Sequence, residues 1–95
     1  MPAYVVIDID VTDPETYEQY KKLSKPAIEA CGGTYLARGG KTEVLEGDWS
    51  PSRLVILRFE SMDAAKSWID SEEYRHARGL RRSASRTNMV AVEGL

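Results

Sequence analysis

The chain has 95 residues, with 13 Lys and Arg set against 15 Asp and Glu. That length supports one domain with one modest core, and a formal net charge of −2 gives no field that would draw nucleic acid or an acidic membrane. The apolar runs fall well short of the ~20 residues a membrane span needs. The single cysteine, Cys31, cannot close an internal disulfide, and Met1-Pro2-Ala3-Tyr4 has neither a basic n-region nor an apolar h-region. A bacterial-type cytoplasmic protein is expected.

Residues 3–11, A-Y-V-V-I-D-I-D-V, alternate with period two: Val5, Ile7, Ile9 and Val11 share one face, and Tyr4, Val6, Asp8 and Asp10 the other. This predicts a strand, central in its sheet because its first half is apolar on both faces. Asp13-Pro14 reads as a helix start, the aspartate as N-cap and the proline in the first turn. Tyr17, Tyr20, Ser24, Ala27, Ile28 and Cys31 then form a stripe at helical spacing. Pro26 predicts a kink or break near residues 22–25, with Ser24 able to cap a second piece. Gly32-Gly33 ends the helix.

Thr34 to Arg38 reads as a strand with Tyr35 and Ala37 opposite Leu36 and Arg38, Gly39-Gly40 as a bulge or turn, and Lys41 to Glu46 as further extended chain. After the loop Gly47–Pro51, the nearly unbroken apolar run Arg53–Phe59 predicts a second central strand. Ser61 can cap a helix over Met62–Asp70 that buries Ala64, Ala65, Trp68 and Ile69. Ser71-Glu72-Glu73 opens another helix, to about Ser83, with the stripe Tyr74, Ala77, Leu80 and Ala84 and with Arg81 at its edge. Asn88 to Glu93 forms the last strand. The order β-α-β-β-α-β predicts an α+β fold, the ferredoxin-like βαββαβ plait: a four-stranded antiparallel sheet with its helices on one face. An apolar opposite face predicts a homodimer packed sheet on sheet.

The run G-G-x-Y-L-A-R-G-G at Gly32–Gly40, then L-E-G-D-W at Leu45–Trp49 and P-x-R at Pro51–Arg53, resembles the domain of unknown function 1330 family, within the dimeric α/β-barrel superfamily. Ala65, Trp68, S-E-E-Y at Ser71–Tyr74, Leu80-Arg81 and Val92-Glu93-Gly94 extend the resemblance over essentially the whole chain. It implies one dimeric α/β-barrel domain spanning 1–95 and no one activity. Superfamily relatives include cofactor-free monooxygenases acting on polyketides, muconolactone isomerases and haem-degrading enzymes, neighbours by fold. His76 stands outside the family pattern.

His76, the only histidine, is one candidate for proton transfer, and Glu46 is the other. One Cys and one His far apart offer no metal spacing. No P-loop, dinucleotide fingerprint or nucleophile elbow is present, so no cofactor is expected. The arginines 75, 78 and 82 read as a solvated helix face. Arg38 and Arg53 on strands need partners, and Glu46 could join them in a buried Arg–Glu–Arg set; the same guanidinium groups could receive a small carboxylate. Tyr35, Arg38, Arg53, Trp68, Tyr74 and Arg81 form the candidate ligand-binding group, between helices and sheet. Two functions follow: a homodimeric small-molecule binding protein for an acidic or aromatic ligand, or a cofactor-free monooxygenase- or isomerase-like enzyme on a small aromatic or carboxylic acid. A purely structural dimer would have no cavity.

Overall fold

The computed structural model of the protein describes all 95 residues. The alternating run at the N-terminus becomes β1 (Ala3–Val11), followed by α1 (Pro14–Ala30), β2 (Thr34–Arg38), β3 (Arg53–Phe59), α2 (Met62–Ile69), α3 (Glu72–Ala84) and β4 (Ser85–Glu93). The sheet order is β2-β3-β1-β4, every neighbouring pair antiparallel. The two strands that are apolar on both faces are therefore the central ones, as their composition requires. This is the α+β ferredoxin-like plait, its second helical segment divided between α2 and α3. No helix is long and apolar enough to cross a membrane.

One face of the sheet carries Val5, Ile7 and Ile9 of β1 with Val55, Leu57 and Phe59 of β3, all buried under the helices. Each such side chain contributes roughly 1.5–3 kcal/mol of burial. Tyr17, Tyr20, Ala27 and Ile28 of α1, Trp68 of α2, and Tyr74, Ala77 and Ala84 of α3 close the core from above. Capping follows the sequence: Asp13 accepts from the N–H and hydroxyl of Thr16, which hold its carboxyl below the ordinary carboxylate range, Ser61 accepts from the N–H of Ala64, and Ser71 from that of Tyr74.

Four expectations are corrected. Helix α1 runs unbroken over 17 residues with Pro26 inside it. The missing Pro26 N–H costs the helix one bond, that to the carbonyl of exposed Lys22; one residue earlier, the Lys21 carbonyl accepts from the Ser24 hydroxyl and, at 2.8 Å, from the guanidinium of Arg38. The bulge of β2 lies between Tyr35 and Ala37, ahead of the glycine pair, because Tyr35 faces Leu57 while Ala37 faces Ile56. One extra residue there turns Arg38 to the helix side, where it shares a face with Tyr35. Residues 41–46 form no strand and are exposed. Finally, β4 starts at Ser85, directly after α3; the carbonyl of Ala84 at that junction accepts from the N–H groups of both Thr12 and Asp13.

The opposite face of the sheet stays open. Val90 and Val92 of β4 are 62% and 53% exposed. They share that face with Val6, which pairs with Val90 on one side and with Ile56 on the other. Trp49 lies against it, its indole N–H donating to Asp8 at 2.9 Å.

Gly39 adopts φ +70°, and a Cβ there would fall on the Arg53 guanidinium. Gly39→Ala should cost about 1–2 kcal/mol from the left-handed backbone alone, with the clash added, in urea denaturation. Gly40→Ala, with open space around it, should stay within about 0.5 kcal/mol of wild type.

Candidate functional site

The stripe Tyr74, Ala77, Arg81, Ala84 is what α3 buries. A guanidinium in that stripe is unusual, since arginine is rarely buried without a partner. Arg81 is only 5% exposed. Its Nε donates to the Tyr74 hydroxyl at 3.1 Å, and that hydroxyl lies 2.8 Å from the hydroxyl of Tyr20 on α1. Burial, and then the neighbouring Tyr74, push the Tyr20 phenol far above its ordinary range, so it stays protonated. Tyr74 is in turn fixed by Trp68, whose ring lies 4.5 Å away, and Trp68 by Phe59 at 5.4 Å.

No carboxylate lies within ion-pair distance of Arg81; the four ion pairs are all elsewhere. Its terminal nitrogens donate to no protein group, yet neither is sealed from solvent. Arg81 lines a cavity of about 490 Å³ between α2, α3 and the β1–β4 half of the sheet. Val5, Met89 and Ala91 form the sheet wall, and Ala65, Trp68 and Ile69 the wall from α2. Ser85 and Thr87 add hydroxyls, bonded to each other at 3.0 Å. Lys66 and Arg82, both exposed, stand at the rim. The Trp68 indole N–H is the only buried side-chain polar atom without an acceptor in the protein, which costs roughly 1–3 kcal/mol.

The six residues grouped from the sequence divide into two sets. Trp68 and Arg81 line the cavity, with Tyr74 behind them. Tyr35, Arg38 and Arg53 lie on the other side of α1, in a cleft with only about 10 Å³ of free space. There Arg53 donates to the Tyr17 hydroxyl at 3.1 Å and stacks over the Tyr17 ring, while Arg38 stacks over Tyr35 at 4.6 Å. The expected Glu46 link to these arginines does not form: Glu46 is exposed and in no ion pair. His76 is exposed on α3, in a shallow groove with Glu72, Arg75 and Leu80. Neither proton-transfer candidate reaches the cavity. Cys31 is half-buried at the end of α1, its thiol 3.4 Å from the Ser71 hydroxyl. No three His, Cys, Asp or Glu side chains gather to hold a metal ion.

Lys66, Arg82, Ser85 and Thr87 were missed as cavity residues. The last two were readable: Ser85, Thr87, Met89 and Ala91 alternate, but the alternation shows only if the strand is started three residues before Asn88.

The plait of four antiparallel strands under its helices places the protein among the ferredoxin-like α+β folds. The chain belongs to the family described as domain of unknown function (DUF1330), which it matches over residues 2–95. No curated protein is significantly similar to it. Among solved structures it resembles RPA0582, a protein of unknown function from Rhodopseudomonas palustris, with a TM-score of 0.79 and 21% identity over 99% of this chain and 82% of that one. It also resembles SnoaB, described as a cofactor-independent oxygenase from Streptomyces nogalater, with a TM-score of 0.71 and 15% identity over 99% and 93% of the two chains. A third is a putative antibiotic biosynthesis monooxygenase from Nitrosomonas europaea, with a TM-score of 0.65 and 14% identity over 100% and 99%. At these identities the likeness is one of fold.

Removing the Tyr74 hydroxyl leaves both the buried Arg81 Nε–H and the Tyr20 hydroxyl without a partner. Tyr74→Phe should destabilise the protein by about 1–3 kcal/mol in urea denaturation, and by more than Tyr20→Phe, which strands only one group.

Proposed function

We propose that the protein is a homodimeric small-molecule binding protein, a single dimeric α/β-barrel domain that holds an acidic, partly aromatic ligand in the cavity beside Arg81. The observation that carries this reading is the Arg81 guanidinium: 5% exposed, aimed by Tyr74, and without a carboxylate of its own. A buried cation is costly unless paired, and a planar fork matches a carboxylate in two parallel hydrogen bonds. The apolar walls suit a hydrocarbon or aromatic body, and the cavity size falls in the range of small-ligand pockets. Trp68 and Arg81 then contact the ligand and Tyr74 positions the arginine, whereas Tyr35, Arg38 and Arg53 hold β2 and β3 against α1. The lone thiol of Cys31 supports a reducing, cytoplasmic setting.

The second reading is a cofactor-free monooxygenase- or isomerase-like enzyme on a small aromatic or carboxylic acid. The descriptions of two fold neighbours favour it. It ranks below binding because the cavity lining contains no carboxylate, imidazole or thiol to take a proton, and His76 and Glu46 stand outside.

The homodimer rests on the exposed apolar sheet face around Val90 and Val92. Light scattering after size exclusion should give about twice 10.7 kDa at micromolar concentration, and Val92→Asp should shift the mass toward one chain. A wild-type monomer would overturn the dimer. For the ligand, saturating benzoate should raise the melting temperature of wild type and Arg38→Ala alike, by several degrees. The same addition should leave Arg81→Gln unmoved. Equal stabilisation of all three would take Arg81 out of the site.

A further inference from the structure

We infer that the ligand of this cavity carries two acidic groups, one received inside by Arg81 and one at the mouth by Lys66 and Arg82; the inference rests on reading the cavity as a ligand site. Three cations line this one space, and no Asp or Glu does. The imbalance runs against the chain as a whole, whose net charge is −2. It is not relieved by neighbours either. The ion pairs of the protein are Lys21–Glu18, Lys41–Glu43, Arg75–Glu72 and Arg78–Asp70, so Lys66, Arg81 and Arg82 all remain unpaired.

The three differ in depth, and that sets the pattern of recognition. Arg81 is buried and held by Tyr74, while Lys66 of α2 and Arg82 of α3 are exposed. Consecutive residues on a helix diverge by about 100°, so Arg81 and Arg82 cannot present one shared fork to a single carboxylate as parallel donors would. Apart from the Ser85 and Thr87 hydroxyls, the rest of the lining is largely apolar, with Val5, Ala65, Ile69, Met89 and Ala91, which offer burial and no hydrogen bonds. A molecule that satisfies both ends has an anionic group at each end of an apolar or aromatic body: a small dicarboxylic acid, or an acid whose second group is a phenolate or phosphate. Like cations gathered without an acid also repel one another, and a dianion removes that repulsion where a monoanion removes part of it.

Matched probes test this directly. Terephthalate and isophthalate are titrated calorimetrically against their monomethyl esters, which keep the ring and one carboxylate and lose the second charge. At low salt at least one diacid should bind wild type roughly three- to tenfold tighter than its monoester, the range expected for one or two exposed cation contacts. In a Lys66→Ala, Arg82→Ala double variant the ratio of the two affinities should fall to about one. Adding salt should erode the preference in wild type, since charges at the mouth are screened. Arg81→Gln should abolish binding of both members of each pair. Diacids no tighter than monoesters in wild type, or a preference that survives in the double variant, would overturn the two-charge ligand while leaving an acid-binding cavity standing. Failure of all four probes to bind wild type would overturn both.

Discussion

The Tyr74 hydroxyl is where three parts of the protein meet. It receives the Arg81 guanidinium along α3 and faces the Tyr20 hydroxyl of α1, while the ring beneath it packs at a tilt against Trp68 of α2. A polar group at the centre of an apolar layer has to be satisfied locally, because water does not reach it. Tyr74 meets that demand with donors and acceptors from different helices, so the helices cannot slide relative to one another without breaking it. The same bond decides which way Arg81 points. Packing order and the chemistry of the cavity therefore depend on one hydroxyl.

The sheet divides the work between its two faces. Its helix side supplies the core under α1 and, toward β4, the wall of the cavity, where Ser85, Thr87, Met89 and Ala91 replace the larger apolar residues of β1 and β3. The smaller side chains of Ser85, Thr87 and Ala91 in that register leave space that Phe59 and Leu57 fill on the opposite half. The open side of the sheet keeps exposed valines and the Trp49–Asp8 contact.

Much of this was legible in the residues. Asp13-Pro14, Ser61 and Ser71 marked three helix starts correctly because N-capping is local chemistry: a side-chain oxygen and an N–H three residues on. The central strands were legible because burial on both faces leaves an unbroken apolar run. What was not legible depends on tertiary partners. A bulge at Leu36–Ala37 has no glycine to announce it, and it alone decides the face that Arg38 takes. Pro26 reads as a breaker, yet the helix runs through it, because both Pro26 and Lys22, whose carbonyl loses its donor, lie on the exposed side. Arg81 was grouped with the candidate site but placed at the edge of its stripe, whereas it lies within the buried face, because its bond to the Tyr74 hydroxyl is a tertiary detail. The pairing of Glu46 with Arg53 failed because nearness along the chain says little across a long loop.

The passage from α3 to β4 without an intervening residue has a consequence for how this protein can change over time. Arg81, Arg82 and Ser85 fall within five positions spanning that passage, and the Ala84 carbonyl is tied to the start of α1. Inserting or deleting a single residue there would rotate the helix by about 100° or flip the strand face, scrambling the cavity at once. The stretch at residues 40–52, exposed except at Pro51, carries no strand or helix and can absorb such changes at small cost. Descendants of this chain are therefore free to vary in length between β2 and β3, and must change the cavity around the α3–β4 passage by substitution alone.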